Sequence, residues 1–454
     1  MEISRSLNQS HRMKIFKNLI LTVLVLQAFS SHSQSYWKIE IENGNEILLT
    51  LDINTEKKTF TAFTRKGALK ELGGIISYTL AKAAGRIKYA EIVYIEGKIQ
   101  NSNDSLLLNG TFHYFEKQYQ FSATISEIRF KGRYLDNKNK VHQLTGIKML
   151  TAQPIKDYVS IINAAFSITE RTLFNREWLK SDEWLSFRKR VNELKPKISD
   201  DYELAATFYW LGKKLPFSPF EISRTSPQKK LTERKGMTGL REIKANTAIF
   251  DQNTLPVNKK EMDSLGVIIE KKGYRNLIID LRGNARLNPC TANILGNYLS
   301  DKPFVAGVYL TRKWFDGNKT IPGVQEYIKS FKSLSDPDFI VGELHKEPGR
   351  YLNIVPNRKS FGGKVYILTN SKTTKAAEVL IYVLKRGGVA TIIGEKMTAV
   401  SILSESLLIS SEYELVLPVS DFYNVDRKKL NKIDVEPDMI VSGEDALRYI
   451  LKIL

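Results

Sequence analysis

A cluster of hydroxyl and amine side chains lies in one short segment of the C-terminal half of the chain. Ser371, Thr373 and Thr374 precede Lys375, and Lys396 follows the next apolar run. A hydroxyl whose proton is taken by a neutral amine can attack a peptide carbonyl, so these residue types are compatible with a Ser/Thr–Lys dyad. Thr374 and Lys375 cannot form that pair on a helix, because adjacent residues do not face each other. A turn whose hydroxyls cap the following helix is the simpler interpretation.

The pattern around this cluster is that of short buried strands alternating with helices. Apolar runs typical of buried strands occur at 277–279, 365–368 and 389–393. Asn288-Pro289 is typical of a helix start, and the apolar positions from Ala376 to Val383 have helical spacing. Strands and helices in alternation indicate an α/β domain over this part of the chain.

Four segments in this region, in order, resemble the tail-specific (C-terminal processing) serine protease family. They are NLIIDLRGN at 276–284, VYILTNSKTTKAAEVLIYVLK at 365–385, ATIIGEK at 390–396 and VEPDMIV at 435–441. Each segment alone is a weak signal, and the four together are more specific. The resemblance implies a crotonase/ClpP-like α/β fold and a serine-type endopeptidase.

The mechanism of that family implies a serine at the helix start, a lysine or in some branches a histidine as base, and backbone amides that hold the oxyanion. The matching positions in this chain are Lys375 for the nucleophile, Val400 for the lysine and Pro219 for the alternative base. The oxyanion-like turn is matched by Gly283, Asn284, Ala285 and Ala376.

These residue types cannot perform the chemistry that the family uses. An exposed lysine ammonium is protonated at neutral pH, and valine has no titratable group. The sequence therefore predicts a catalytically degenerate peptidase homologue that binds peptides rather than cutting them. Two alternatives remain open. One is an active peptidase with a relocated dyad, built from Ser371, Thr373 or Thr374 with Lys396. The other is an envelope structural or adaptor protein that acts through its N-terminal domain.

The N-terminus has the order of features found in secretory signal peptides. Lys14 and Lys17 precede an apolar run from Leu19 to Phe29, and small or polar residues follow. We expect residues 1–34 to be a leader, with translation starting at Met1 or Met13. The protein is then exported, to the periplasm or the extracellular space, and has no integral membrane span after signal removal.

The rest of the chain divides into three predicted parts. Residues 35–150 alternate apolar and polar side chains with period two, which predicts an antiparallel β-domain, either a sandwich or a barrel. Residues 151–230 have helical spacing, with Asp200 and Glu203 as a capping pair, and predict a short helical module. Residues 231–454 are the protease-like domain. The predicted fold class is multi-domain α+β.

Composition narrows the functional classes further. The formal net charge is +19, but Lys and Arg are scattered and no zinc-finger spacing is present, so we expect no nucleic-acid partner. Cys290 is the single cysteine, and no Cys/His cluster indicates a metal, so we expect neither metal nor cofactor. Peptide or protein C-termini are the expected partners, and the sequence leaves the oligomeric state open.

Overall fold

Two compact units make up the described part of the chain. The computed structural model describes residues 32–42, 44–86, 88–102, 104–225, 239–250, 255–256, 258–283, 290–336, 339–340, 342–356, 361–373, 376–397, 402–430 and 435–454. The first unit, which we call the barrel unit, contains the chain up to Ser160 together with Arg190–Leu211. The second, the α/β unit, contains Ile161–Lys189 and Gly212–Leu454.

The barrel unit is built on eight antiparallel strands. They are β1 (His32–Ile41), β2 (Glu46–Asn54), β3 (Thr59–Phe63), β4 (Val93–Ser102), β5 (Ser105–Tyr114), β6 (Lys117–Ile125), β7 (Arg129–Leu135) and β8 (Val141–Met149). Each strand pairs with the next, and β1 pairs with β8, so the sheet closes into a barrel. Helices α1 (Ala68–Gly73) and α2 (Ile75–Ala83) lie between β3 and β4. The two-residue period therefore predicted the strands, and closure selects the barrel over the sandwich.

Apolar side chains fill the barrel interior. Trp37, Ile39 and Ile41 of β1 are buried and alternate with the more exposed Lys38 and Glu40, because successive side chains of a strand point to opposite faces. The same alternation continues in the other strands and produces one apolar cluster inside the barrel. The barrel interior is a packed core.

Three helices follow β8: α3 (Tyr158–Thr172), α4 (Asp182–Leu194) and α5 (Asp201–Gly212). The start of α5 is tied to the barrel by buried acidic side chains. Asp200 caps the helix by accepting from the Glu203 amide at 2.8 Å, which confirms the predicted capping pair. Asp201 accepts from the amide of Glu46 on β2 at 2.7 Å, and Glu203 pairs with Arg65.

The α/β unit contains two sheets. Its strands are β9 (Glu221–Arg224), β10 (Leu240–Lys244), β11 (Thr247–Phe250), β12 (Asn276–Asp280), β13 (Phe304–Thr311), β14 (Gly349–Ile354), β15 (Lys364–Thr369), β16 (Ala390–Gly394), β17 (Ile402–Leu408), β18 (Tyr413–Asn424) and β19 (Met439–Ile440). The first sheet has the order β10-β11-β12-β15-β16-β19 and is parallel from β11 onwards. The second, antiparallel, has the order β14-β13-β18-β17, with β9 paired to β18.

Helices cover the parallel strands on both faces. The helices of this unit after residue 212 are α6 (Lys259–Lys272), α7 (Cys290–Leu299), α8 (Arg312–Gly317), α9 (Val324–Ser330), α10 (Ala376–Arg386) and α11 (Ala446–Ile453). Leu277 and Ile367 belong to the cluster that includes α7 and α10, whereas Ile278 and Leu368 pack with α11. Burial on both faces explains why β12, β15 and β16 are continuous apolar runs in the sequence. The predicted multi-domain α+β fold, with an antiparallel N-terminal domain and an α/β C-terminal domain, is confirmed.

Candidate functional site

The carboxyl ends of three parallel strands bring the predicted site segments to one edge of the sheet. In the register, Asp280 of β12 lies beside Leu368 of β15, and Thr369 lies beside Gly394 of β16. Gly394 has φ +138°, and a Cβ built there would lie 2.0 Å from the Thr369 carbonyl oxygen. Glycine is therefore required for the two strand ends to approach this closely.

Thr373 holds the turn between β15 and α10 together. Its side chain is buried, and its hydroxyl donates to the Leu281 carbonyl at 2.9 Å and accepts from the Asn370 amide at 2.9 Å. The Thr373 amide donates to the Asn370 carbonyl at 3.0 Å. The hydroxyl proton is therefore used in a bond that joins two strand ends, and this threonine acts as a structural clamp.

The side chain of Asn370 accepts a hydrogen bond from a backbone amide of the turn that follows β12. Its Oδ1 accepts from the Gly283 amide at 3.1 Å and from the Lys372 amide at 3.0 Å. Gly283 is the first residue of the oxyanion-like turn that the resemblance implies. An amide that already donates within the protein is not available to a developing oxyanion unless that bond breaks.

Glu395 connects two loops at the exposed part of the same edge by accepting hydrogen bonds from their backbone amides. Its carboxylate accepts from the Gly443 amide at 2.8 Å and from the Ser371 amide at 2.9 Å, and these bonds lower the pKa of Glu395 below its ordinary value. The hydroxyl of Ser371 also hydrogen-bonds to this carboxylate. A carboxylate whose charged form is stabilised in this way is a weak base for activating the serine.

Lys396, the predicted partner of a relocated dyad, has its ammonium in an ion pair with Glu436. The side chain is largely exposed. Within the described part of the chain, no hydrogen bond joins Lys396 to Ser371 or Thr373. The structure therefore brings the two hydroxyls to the same turn but gives the lysine a different partner.

The turn after β12 is fixed by an arginine that the sequence interpretation did not use. Arg282 donates from Nε and Nη2 to the two carboxylate oxygens of Asp280, at 2.8 and 2.7 Å, and from Nη1 to the Gly443 carbonyl at 2.8 Å. Hydrogen bonding to Asp280 raises the pKa of the guanidinium. An Asp and an Arg two positions apart at the end of a strand could have predicted this bidentate pair.

The other predicted site residues fall into two groups. Thr374, Lys375, Val400, Asn284 and Ala285 lie outside the described residues. Ala376 begins α10, and the part-buried Pro219 lies between Phe217 and Phe220.

His345 is held by a buried glutamate on the second sheet. Its Nδ1 lies 2.6 Å from Oε2 of Glu405, and the Leu344 amide donates to Oε1 of the same carboxylate at 2.8 Å. His345 lies in the short 3₁₀ helix Leu344–Lys346. A carboxylate that fixes one ring nitrogen sets the orientation of the imidazole.

Metal-binding clusters and membrane-spanning helices are absent from the described ranges. Among these residues, no group of three or more His, Cys, Asp or Glu side chains is arranged to hold a metal ion. In the same ranges, no helix combines the length and the apolar character needed to cross a membrane.

Residues 297–441 match the model of peptidase family S41. This part of the chain is therefore similar to peptidase family S41. The S41 region includes β15, the turn at Asn370 and α10. No curated protein matches the chain.

Several solved structures are similar at low sequence identity. A lipoprotein from Streptococcus agalactiae has 15% identity and a TM-score of 0.44, covering 67% of this chain and 98% of its own. The photosystem II D1 C-terminal processing protease has 14% identity and a TM-score of 0.36, covering 64% of this chain and 94% of its own. Mature CPAF has 11% identity and a TM-score of 0.32, covering 94% of this chain and 82% of its own. At these scores the likenesses add no evidence about activity.

Proposed function

We propose that this chain is an exported member of peptidase family S41 that binds peptide or protein ligands without hydrolysing them. The observation that supports this most strongly is the closed hydrogen bonding at the sheet edge. The Thr373 hydroxyl is committed to the Leu281 carbonyl, and the Gly283 amide is committed to the Asn370 side chain. Both groups would have to be released before a peptide carbonyl could use them.

Residue types at the matched family positions support the same conclusion. Lys375 stands where the family has its serine, and Val400 stands where it has its lysine. One oxyanion donor contributes about 10²–10³ in kcat, so an occupied Gly283 amide alone would be a large loss. The members of such a catalytic unit are not additive, and once the nucleophile is lost the other losses add little.

A fluorophosphonate probe, combined with mass spectrometry of a peptide mixture, tests the absence of catalysis. We expect no labelling and no cleavage above background, with an active serine hydrolase in the same sample as the positive control. The double variant Lys375→Ser with Val400→Lys should also remain unlabelled, because Asn370 still holds the Gly283 amide. Adding Asn370→Gly to that variant releases this amide and should give the largest increase in fluorophosphonate labelling among these variants.

The competing function, a peptidase with a relocated dyad, makes the opposite prediction. Labelling of the unmodified chain, lost in Ser371→Ala and in Lys396→Met, would establish that dyad and refute the proposal. Lys372→Met is the matched control, because it removes a neighbouring lysine from the same turn.

Ligand binding needs a separate measurement. The family resemblance points to polypeptide C-termini, so we expect peptides with a free terminal carboxylate to bind more tightly than the same peptides with a terminal amide. Fluorescence anisotropy of matched pairs measures this difference, and equal affinities would exclude recognition of the C-terminus. Photo-crosslinking peptides should label the segments around 281–283 and 370–397. Crosslinks confined to the barrel strands would instead favour an adaptor that acts through the barrel unit.

Export is tested on the protein recovered from cells. N-terminal sequencing of the mature chain should begin between Ser33 and Tyr36, directly after the small and polar residues of the leader. Recovery of an intact Met1 or Met13 end from the cell envelope would contradict this part of the proposal.

A further inference from the structure

One end of the barrel carries an exposed apolar patch. Ile128 is 62% exposed, Ile147 is 57% exposed and Leu150 is fully exposed. We call these three side chains the rim patch. The amide of Lys148 donates to the Ile128 carbonyl at 3.0 Å, and Ile147 and Leu150 lie on either side of the Lys148–Met149 pair. The three side chains therefore belong to one end of the sheet formed by β7 and β8.

Basic side chains surround the rim patch. Ile147 on the outer face of β8 lies between Arg129 of β7 and Lys38 of β1 in the strand register. Lys131 and Lys148 are also exposed beside it. Among the described residues, Arg129, Lys131 and Lys148 form no ion pair, whereas Lys38 pairs with Glu46. The acidic side chains nearby are Glu127 in the adjoining turn and Glu40 and Glu46, which line the same surface as Ile147.

The first strand begins at the same end of the barrel. β1 and β8 run antiparallel with Tyr36 beside Met149, so the start of β1 and the end of β8 at Met149 lie at the same end of the barrel. The sequence before β1 contains the apolar run Leu19–Phe29.

We infer that the rim patch and its basic surround dock the barrel unit on the surface of an anionic lipid bilayer. Branched apolar side chains can enter the boundary between headgroups and acyl chains, while the ammonium and guanidinium groups remain at the level of the lipid phosphates. Positive charge without internal partners is complementary to that surface. The inference depends on the proposed function only through export, which places the protein near an envelope membrane, and it is independent of catalysis.

Vesicle flotation of a chain that starts at residue 32 tests the inference, because this chain retains β1 and lacks the apolar leader. We expect binding to vesicles of phosphatidylglycerol and phosphatidylcholine at low salt. Binding should be lost with pure phosphatidylcholine and in high salt, because the attraction of basic residues is screened. Ile128→Asp with Ile147→Asp should weaken binding by about a hundredfold, at about tenfold for each residue removed from the lipid.

Leu185→Asp with Val267→Asp is the matched control, because both residues are more than half exposed and lie outside the rim patch. This variant should bind like the unmodified chain, and circular dichroism should show that both double variants are folded. Equal vesicle binding by the rim and control variants would overturn the inference, as would equal binding to neutral vesicles. A dimer in light scattering that the rim variant abolishes would assign the patch to a second copy of the chain instead. N-terminal sequencing reports on export separately, so the failure of one proposal is distinguishable from the failure of the other.

Discussion

Replacing Thr373 by valine separates the structural role of this residue from a catalytic one. Valine has nearly the same shape as threonine, so the change removes the hydroxyl without opening a cavity. The Leu281 carbonyl and the Asn370 amide each lose a partner at 2.9 Å. Since the threonine side chain is buried and Leu281 is fully buried, water cannot replace both bonds without rearrangement.

The expected loss follows from the cost of unsatisfied backbone groups. Each buried group left without a partner costs about 1–3 kcal/mol, so Thr373→Val should lower the free energy of unfolding of the α/β unit by about 3 kcal/mol. The melting temperature should fall by about 6–12 °C. Urea denaturation measures the free energy, and hydrogen exchange of peptides covering 364–386 identifies the transition that belongs to this unit.

Two controls make the measurement specific. Thr373→Ser keeps the hydroxyl and should cost only about 1 kcal/mol for the lost methyl group. Ser371→Ala changes an exposed hydroxyl in the same turn and should alter stability by at most about 0.5 kcal/mol. The reasoning is refuted if Thr373→Val is as stable as the unmodified chain. It is also refuted if that variant keeps its stability but loses fluorophosphonate labelling, because the hydroxyl would then act as a nucleophile.

Three further predictions concern the barrel unit. Burial raises the pKa of Asp200 to about 8, so between about pH 4 and pH 8 the folded state holds a proton that the unfolded state releases. The free energy of unfolding should therefore fall as the pH rises from about 4 to about 8, and urea titrations should show a smaller fall in Asp200→Asn. Arg65→Met leaves the buried carboxylate of Glu203 on α5 without its ion-pair partner and should lower the free energy of unfolding, measured by urea denaturation, by about 3–5 kcal/mol. Lys197→Met breaks the more exposed pair with Glu71 and should cost at most about 1 kcal/mol. In Gly97→Ala the new Cβ would lie 2.1 Å from a backbone oxygen of β5, so thermal melting should show that the free energy of unfolding falls by about 3 kcal/mol. Gly317→Ala should change it little, because no atom lies within 4 Å of the new Cβ.

Most of the fold could be predicted because its elements have strong local patterns. The period of two in β1 and β2 fixes strands whatever the partner, and the apolar runs of β12, β15 and β16 indicate strands buried on both faces. The sequence did not decide between a sandwich and a barrel. That choice depends on the pairing of β1 with β8, which are separated by most of the domain, and no local pattern records a contact at that distance.

The sequence indicated which segments form the site, but not which side chains are in contact there. The segments at 276–284, 365–385 and 390–396, which carry the family resemblance, contain the strand ends that lie side by side at this edge. The partner of each side chain could not be read in this way. In the sequence, Ser371 and Lys396 are candidates for a dyad. In the structure, Ser371 hydrogen-bonds to Glu395 and Lys396 forms an ion pair with Glu436.

The sequence by itself determines which residue types are present: the family resemblance aligns Lys375 and Val400 with the serine and the lysine that the family uses. Only the tertiary structure decided that the Thr373 hydroxyl and the Gly283 amide are committed to the protein's own turns. The physical reason is that a hydrogen bond depends on distance and direction between groups far apart in the chain. Leu281 and Thr373 come within 2.9 Å of each other only after β12 and β15 pair and place their ends side by side.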